Sequence, residues 1–153
     1  PYTIQHFGIF PLLFSPFGFW SMFSALSNSV MADILTNLHT FAMVSPNHTG
    51  DDLYRFDSKP DNKAERYFRQ VIGSVNYDCG NDLIDFTHLW LNYQIEHHLY
   101  PDIPMLKYQE YQPQIKAICE KYNVPYIQEN VFIRIKKMVD IAVGNTTMKK
   151  ANS

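Results

Sequence analysis

The sequence predicts an all-α fold in which integral membrane helices continue into a cytosolic helical cap. Three observations carry that expectation. Apolar residues recur at helical spacing in several segments, no two segments alternate as paired strands would, and charge is confined to one part of the chain. From Pro1 to Val44 there is no Lys or Arg and Asp33 is the only acidic residue, whereas all 13 basic residues lie from Arg55 onward. A mean hydropathy of -0.25 averages over these unlike parts and describes neither.

Ile4 to Phe14 is apolar but short, interrupted by Pro11 and followed by Ser15-Pro16, and reads as the tail of a transmembrane helix. Pro16 suits the first position of a new helix, and only Gly18 interrupts the run from Phe17 to Val44. Such a helix spans about 42 Å at about 1.5 Å per residue. A bilayer's hydrocarbon core is about 30 Å thick, so the helix is expected to cross and project beyond it. Its later part is polar along one stripe: Ser29, Asp33, Thr36, Asn37 and Thr40. Two readings fit the stripe equally well. It is a side leaving the membrane or packed on other helices, or it is a wall facing a polar site. Because the basic residues lie downstream, the positive-inside rule places the rest of the chain in the cytosol.

Residues 45–62 are rich in Asx and contain two prolines, as loops do. Lys63 to Ile72 reads as a short helix and Gly73 to Asn81 as a second loop. Asn81 or Asp82 caps a helix expected to run to about Leu99 and stop before Pro101. Pro104 opens further helix with Tyr108, Tyr111, Ile115, Ile118, Cys119 and Tyr122 on one face, and Pro113 is expected to start a fresh helix. A last amphipathic segment places Val131, Phe132, Ile135, Met138, Val139 and Ala142 on one side, flanked by Arg134, Lys136 and Lys137. It packs on the cap or lies on the membrane surface. The expected division is a transmembrane region over 1–45, a cytosolic cap over 46–143 and a flexible tail over 144–153.

A net charge of -2 lacks the basic footprint of nucleic-acid binding, so no nucleic-acid partner is expected. Cys79 and Cys119 match no zinc spacing and read as reduced thiols. Among the six histidines, His97 and His98 follow Gln94 as Q-x-x-H-H. On a helix, positions 94, 97 and 98 share one side. Adjacent histidines differ by about 100° of rotation, which suits two metal ions side by side better than one. Imidazole is a good iron ligand, and an all-nitrogen shell is unusual for structural zinc.

The run Gln94-Ile95-Glu96-His97-His98-Leu99-Tyr100-Pro101-Asp102-Ile103-Pro104 resembles the third histidine box of membrane fatty-acid desaturases. It is most similar to the subgroup in which Gln replaces that box's first His. Asn92-Tyr93 resembles the lead-in to the box, and Lys107 to Tyr126 resembles the segment after it. Asn37-Leu38-His39-Thr40 and Pro46-Asn47-His48 sit where the family's last transmembrane helix enters the cap.

That resemblance implies oxygen-dependent desaturation of a fatty acyl chain, as an acyl-CoA or acyl-lipid, at a di-iron centre. O2 is the co-substrate, and electrons come from a cytochrome b5, ferredoxin or reductase partner. An unactivated C–H bond yields to no acid–base residue, so the metal–oxygen chemistry does the work and the protein ligates and orients. Carried over by position, His97, His98 and His48 match iron ligands. Gln94 departs from the His form. A neutral amide is a poorer ligand, and it binds iron weakly, holds a water or hydrogen-bonds a neighbouring ligand.

Glu96 points away from the Gln94–His98 side, His88 reads as structural, and His6 and His39 are assigned to packing. Phe10, Phe14, Phe17, Phe19, Trp20 and Phe23 line an acyl tunnel or contact lipid. The family's two earlier histidine boxes do not occur upstream of Pro46. The chain therefore reads as the carboxy-terminal part of a longer protein, with an incomplete iron site of its own. A membrane di-iron lipid hydroxylase, or a non-catalytic scaffold of the same fold, remains the alternative.

Overall fold

The computed structural model describes residues 1–151 and is mostly helical. The chain divides into two compact units, Pro1–Phe41 and the residues from Ala42 onward.

In the first unit, Tyr2 to Leu12 is helical, with a π-type stretch over Gln5–Ile9, and Ser15–Phe17 forms a 3-10 turn. The helix expected from Phe17 begins two residues later. Gly18 sits at φ 99°, a conformation that only glycine adopts readily, and it separates the turn from helix α1, Phe19–Val44. The α1 residues Ala42–Val44 fall in the second unit.

Ser29 is the one buried residue of α1. Phe19, Trp20, Phe23, Met31, Ile34, Leu35, Leu38 and Phe41 are all exposed. Part of the polar stripe is engaged within this unit. Asp33 accepts hydrogen bonds from the Tyr2 hydroxyl at 2.9 Å and from Asn37 Nδ2 at 3.2 Å. Contrary to the sequence expectation, no helix among the described residues is long and apolar enough to cross a membrane. In α1 the limit is polarity, since serine, asparagine, threonine and Asp33 are interspersed along its length.

The second unit is built from five helices and several tight turns. Helix α2, Lys63–Ile72, starts where Asn62 accepts the Glu65 N–H at 2.9 Å, and Glu65 reaches back to the Asp61 N–H at 2.7 Å. This reciprocal capping satisfies amide groups that have no partner inside a helix. Helix α3, Asp82–Thr87, is capped by Asn81 in the same way through the Ile84 N–H.

The helix expected to continue to Leu99 does not. Leu89 and Trp90 both take left-handed backbone angles, φ 56° and 59°, which end α3 and start a 3-10 turn over Leu91–Tyr93. Helix α4, Gln94–Leu99, is therefore a separate six-residue segment. Helix α5, Lys107–Lys121, runs through Pro113 rather than starting there.

Helix α6, Val131–Ala142, packs differently from its apolar pattern. Val131 and Arg134 are buried, while Phe132 and Val139 face outward. Arg134 pairs with Asp52 through two 2.7 Å bonds, and Lys137 adds a third contact to Asp52 at 2.8 Å. These ion pairs turn the helix by their own geometry.

The core of this unit is Val71, Ile95, Ile115 and Cys119, with Leu99, Val124 and Tyr126 against it. It joins α2, α4 and α5. Of the face expected on α5, Tyr108, Ile115 and Cys119 are buried, and Ile118 and Tyr122 are exposed. Both cysteines are free thiols.

Strand pairing, not expected at all, occurs in two places. Tyr54–Arg55 (β1) pairs in parallel with Lys149–Lys150 (β2), and Asn76 bridges to Gln128. β2 lies in the segment expected to be a flexible tail, whose last two positions are outside the described residues.

Two outcomes check this packing. Ile95→Ala should lower unfolding stability by about 2–5 kcal/mol, as buried Ile-to-Ala changes do. Phe132→Ala should change it by less than about 0.5 kcal/mol, as surface changes do. Urea midpoints measure both, and equal losses would show that α6 packs by its apolar face after all.

The second outcome concerns acid. Burial pushes the Asp52 carboxyl up, but the bonds from Arg134 and Lys137 outweigh burial and hold it below its ordinary value. Its contribution to stability is then complete above about pH 4, the unfolded carboxylate value, and disappears as pH falls through the lower folded value. Asp52→Asn should be less stable at neutral pH and show a shallower loss in acid.

Candidate metal centre

A six-residue helix does not hold itself together in water. Side chains from elsewhere hold α4. Asn76 Oδ1 accepts the Ile95 N–H at 2.9 Å, and Asn76 Nδ2 donates to Glu96 Oε2 at 2.7 Å. Tyr126 donates its hydroxyl to Glu96 Oε1 at 2.8 Å. Asn76, Ile95 and Glu96 are each fully buried. Burial pushes the Glu96 carboxyl above its ordinary range, against the pull of these two donors. Glu96 thus faces the protein interior beneath the helix, opposite the histidines.

The approach to α4 is fixed by Asp85, also fully buried. It accepts from Asn92 Nδ2, from the Tyr93 hydroxyl at 3.0 Å and from Gln109 Nε2 at 2.7 Å. Asn92-Tyr93, read in the sequence as a lead-in, is the point where this carboxylate grips the chain.

On the other side of α4, three imidazoles gather. His48 stacks on His98 with ring centroids 5.0 Å apart and planes 14° from parallel. The His97 and His98 rings are 6.0 Å apart. His48 comes from the turn after α1, where Ser45–Asn47 makes a 3-10 helix.

Each ring is oriented by a neighbour. The Tyr108 hydroxyl lies 3.1 Å from His97 Nδ1 and 3.4 Å from the Tyr100 carbonyl, so it holds the His97 ring by that nitrogen. Gln94 is buried. Its amide nitrogen donates to His98 Nε2 at 2.7 Å, and its amide oxygen accepts from Asn47 Nδ2 at 3.3 Å. The same Asn47 nitrogen donates to the carbonyls of Leu91 at 2.8 Å and Met43 at 3.1 Å, which fixes which way both amides point. Gln94 therefore spends its oxygen on Asn47 and its nitrogen on a histidine.

Burial and the neighbouring His48 and His97 push His98 down to about 4, and burial, chiefly, lowers His48. Both rings are neutral at pH 7, the form in which imidazole offers a lone pair to a metal.

The donor set fits a share of a metal centre rather than a whole one. No group of three His, Cys, Asp or Glu side chains suited to one ion occurs among the described residues. The three rings sit on one side of α4, and Asn47 Oδ1 is buried beside them without a partner.

His88 bonds the Ile84 carbonyl through Nδ1 at 2.7 Å and leans on Tyr77. The break at Leu89 and Trp90 removes the rotational alignment with His98 that one continuous helix would give it. His6 stacks on Tyr2 in the first unit, and His39 is exposed on α1. The sequence reading missed Asn47 as the residue joining the His48 turn to Gln94. It also missed Asn76 and Tyr126 as the supports of Glu96. Only for Asn47 was there a signal, its place beside His48 in Pro46-Asn47-His48.

Residues 2–130 match the family model for fatty acid desaturases. The chain is 32% identical over 117 residues to an NADPH-dependent stearoyl-CoA 9-desaturase of Mycobacterium tuberculosis, covering 74% of this chain and 27% of that protein. It is 30% identical over 105 residues to an acyl-lipid (9-3)-desaturase of Borago officinalis, covering 69% and 22%. A delta(8)-fatty-acid desaturase of Arabidopsis thaliana shares 31% over 80 residues, covering 52% and 17%. The chain thus spans about a quarter of the length of the curated relatives it matches. No solved structure matches it. The chain belongs to the fatty acid desaturase family.

Proposed function

We propose that this chain forms part of an enzyme that desaturates a fatty acyl chain, as an acyl-CoA or acyl-lipid, with O2 as co-substrate. The observation that carries the reading is the stack of His48 on His98 beside His97, three imidazoles drawn from distant positions onto one side of α4. His48, His97 and His98 are the residues that would hold iron. A bound iron pair supplies the oxygen chemistry that an unactivated C–H bond requires.

The chain's own residues prepare that site. Tyr108 holds His97 through Nδ1, and Gln94 occupies the lone pair of His98 until another partner replaces it. In this reading Gln94 orients His98 and does not itself bind iron, because its oxygen is engaged by Asn47. The Asn76–Glu96–Tyr126 cluster keeps the far side of α4 closed to water. Further ligands come from outside these residues.

The exposed apolar side chains of α1, from Phe19 to Phe41, support a membrane-associated protein whose α1 face contacts lipid. The basic residues from Arg55 onward support a cytosolic position for the histidines. Electrons come from a cytochrome b5, ferredoxin or reductase partner. The three relatives described above are each named as desaturases, which favours desaturation over hydroxylation, and the double-bond positions in their names differ.

Fatty-acid profiling of a host expressing the full-length protein tests this directly. A new double bond should appear, with the protein in the membrane fraction after alkaline carbonate. His97→Ala and His98→Ala should each reduce the product to host background. No new double bond, or a His97→Ala profile like wild type, would sink the proposal.

Gln94→Ala should lower iron affinity and product by about 10–100-fold, the usual effect of removing a group that orients a ligand. Complete loss of iron would instead mark Gln94 as a ligand.

A further inference from the structure

Arg134 lies far along the chain from the histidines and yet is fully buried. Its guanidinium is spread over the turn that carries His48. Nε donates to the Pro46 carbonyl at 3.4 Å and Nη2 to the Thr49 carbonyl at 3.0 Å, so the two bonds bracket His48 in sequence. Nη1 donates to both Asp52 oxygens at 2.7 Å and to Glu129 Oε2 at 3.4 Å. Lys137 closes the cluster with bonds to Asp52 at 2.8 Å and Glu129 at 3.0 Å. Two cations therefore face two carboxylates.

The turn is shaped to admit this group. A methyl at Gly50 would collide with the Arg134 guanidinium and with the Asp52 carboxylate. A buried ion pair is weak evidence for stability in itself, because desolvation offsets the attraction. Its forked donors do impose direction, which a lysine ammonium cannot reproduce at three separated acceptors. On α4, His98 meets the His48 ring by stacking and Gln94 reaches the turn through Asn47, whereas Arg134 takes the turn's backbone carbonyls.

We propose that Arg134 is a positioning residue for His48, holding the 46–52 turn so that the His48 ring stays against His98. The importance of that ring rests on the desaturase reading above, but its placement does not require bound iron. The two are therefore tested separately in the full-length protein.

For placement, the metal-free protein is treated with diethylpyrocarbonate and each histidine's rate of modification is mapped by mass spectrometry. Arg134→Lys should speed modification of His48 several-fold while leaving His88 and His97 at wild-type rates. A general loosening would raise all three rates, and no change at His48 would equally overturn the proposal.

For function, iron per protein is measured in a double-mutant cycle. Arg134→Lys should weaken iron retention by about 10–100-fold. In a His48→Ala background it should cost nothing further, because the residue it positions is gone. Losses that multiply would assign Arg134 a general structural role. Should Arg134→Lys not fold, Asp52→Asn, which removes one anchor and keeps the two carbonyl bonds, should show the same selectivity at His48 with a smaller effect. Equal rates at His48 in Asp52→Asn and wild type would then overturn the inference. Absence of iron from wild type would overturn the desaturase reading and leave the placement result standing.

Discussion

The histidine side of the molecule depends on the interior grip on α4. Six residues make too few helical hydrogen bonds to persist alone. Asn76 takes the Ile95 N–H in the first turn of the segment and also donates to Glu96, while Tyr126 holds the other carboxylate oxygen. A buried carboxylate without donors would be costly, so these bonds and the position of the helix stand or fall together. Ile95 anchors the same face in the apolar core. With that side locked, the helix has one orientation, and its other side must present Gln94, His97 and His98.

The supports come from widely separated parts of the chain, which is how a small helical unit brings a site together. Asn47 joins the end of α1 to Gln94 and Leu91. Asp85 joins α3 to the lead-in at Asn92-Tyr93 and to α5 through Gln109. Arg134 joins α6 to the His48 turn. Each connection is a buried polar side chain that bonds several partners at once, with Asn47 Oδ1 left over. Such networks specify one arrangement more sharply than apolar packing does, because a half-made network is penalised.

The structure also explains where the periodic pattern misled. One continuous helix from Asp82 to Leu99 agreed with the spacing of apolar residues, but left-handed Leu89 and Trp90 break it. Neither residue favours that conformation, and the Trp90 N–H to Asp85 carbonyl bond at 2.8 Å is part of what holds it. In α6 the apolar stripe pointed to Phe132 and Val139. Ion pairs to Asp52 and Glu129 bury Arg134 instead, and a guanidinium whose three nitrogens all have partners tolerates less rotation than an aliphatic face. Exposed aromatic and aliphatic side chains along α1 have no counterpart in its interspersed polar residues, so its hydropathy falls short of a crossing helix while its surface stays apolar.

Some features were settled by local chemistry and legible without coordinates. The helical class, the bounds of α2 from Asn62 and Gly73, the Asn81 cap and the shared face of positions 94, 97 and 98 all depend on neighbours within four residues. The family resemblance of the box is equally a property of a contiguous string. Other features depend on partners far apart in sequence and invisible to spacing: the stack of His48 on His98, the engagement of Gln94 by Asn47, the burial of Glu96 by Asn76 and Tyr126, and the burial of Arg134. A residue's own sequence neighbourhood sets its backbone preference, but whether its polar atoms find partners out of water is decided only when the chain closes on itself.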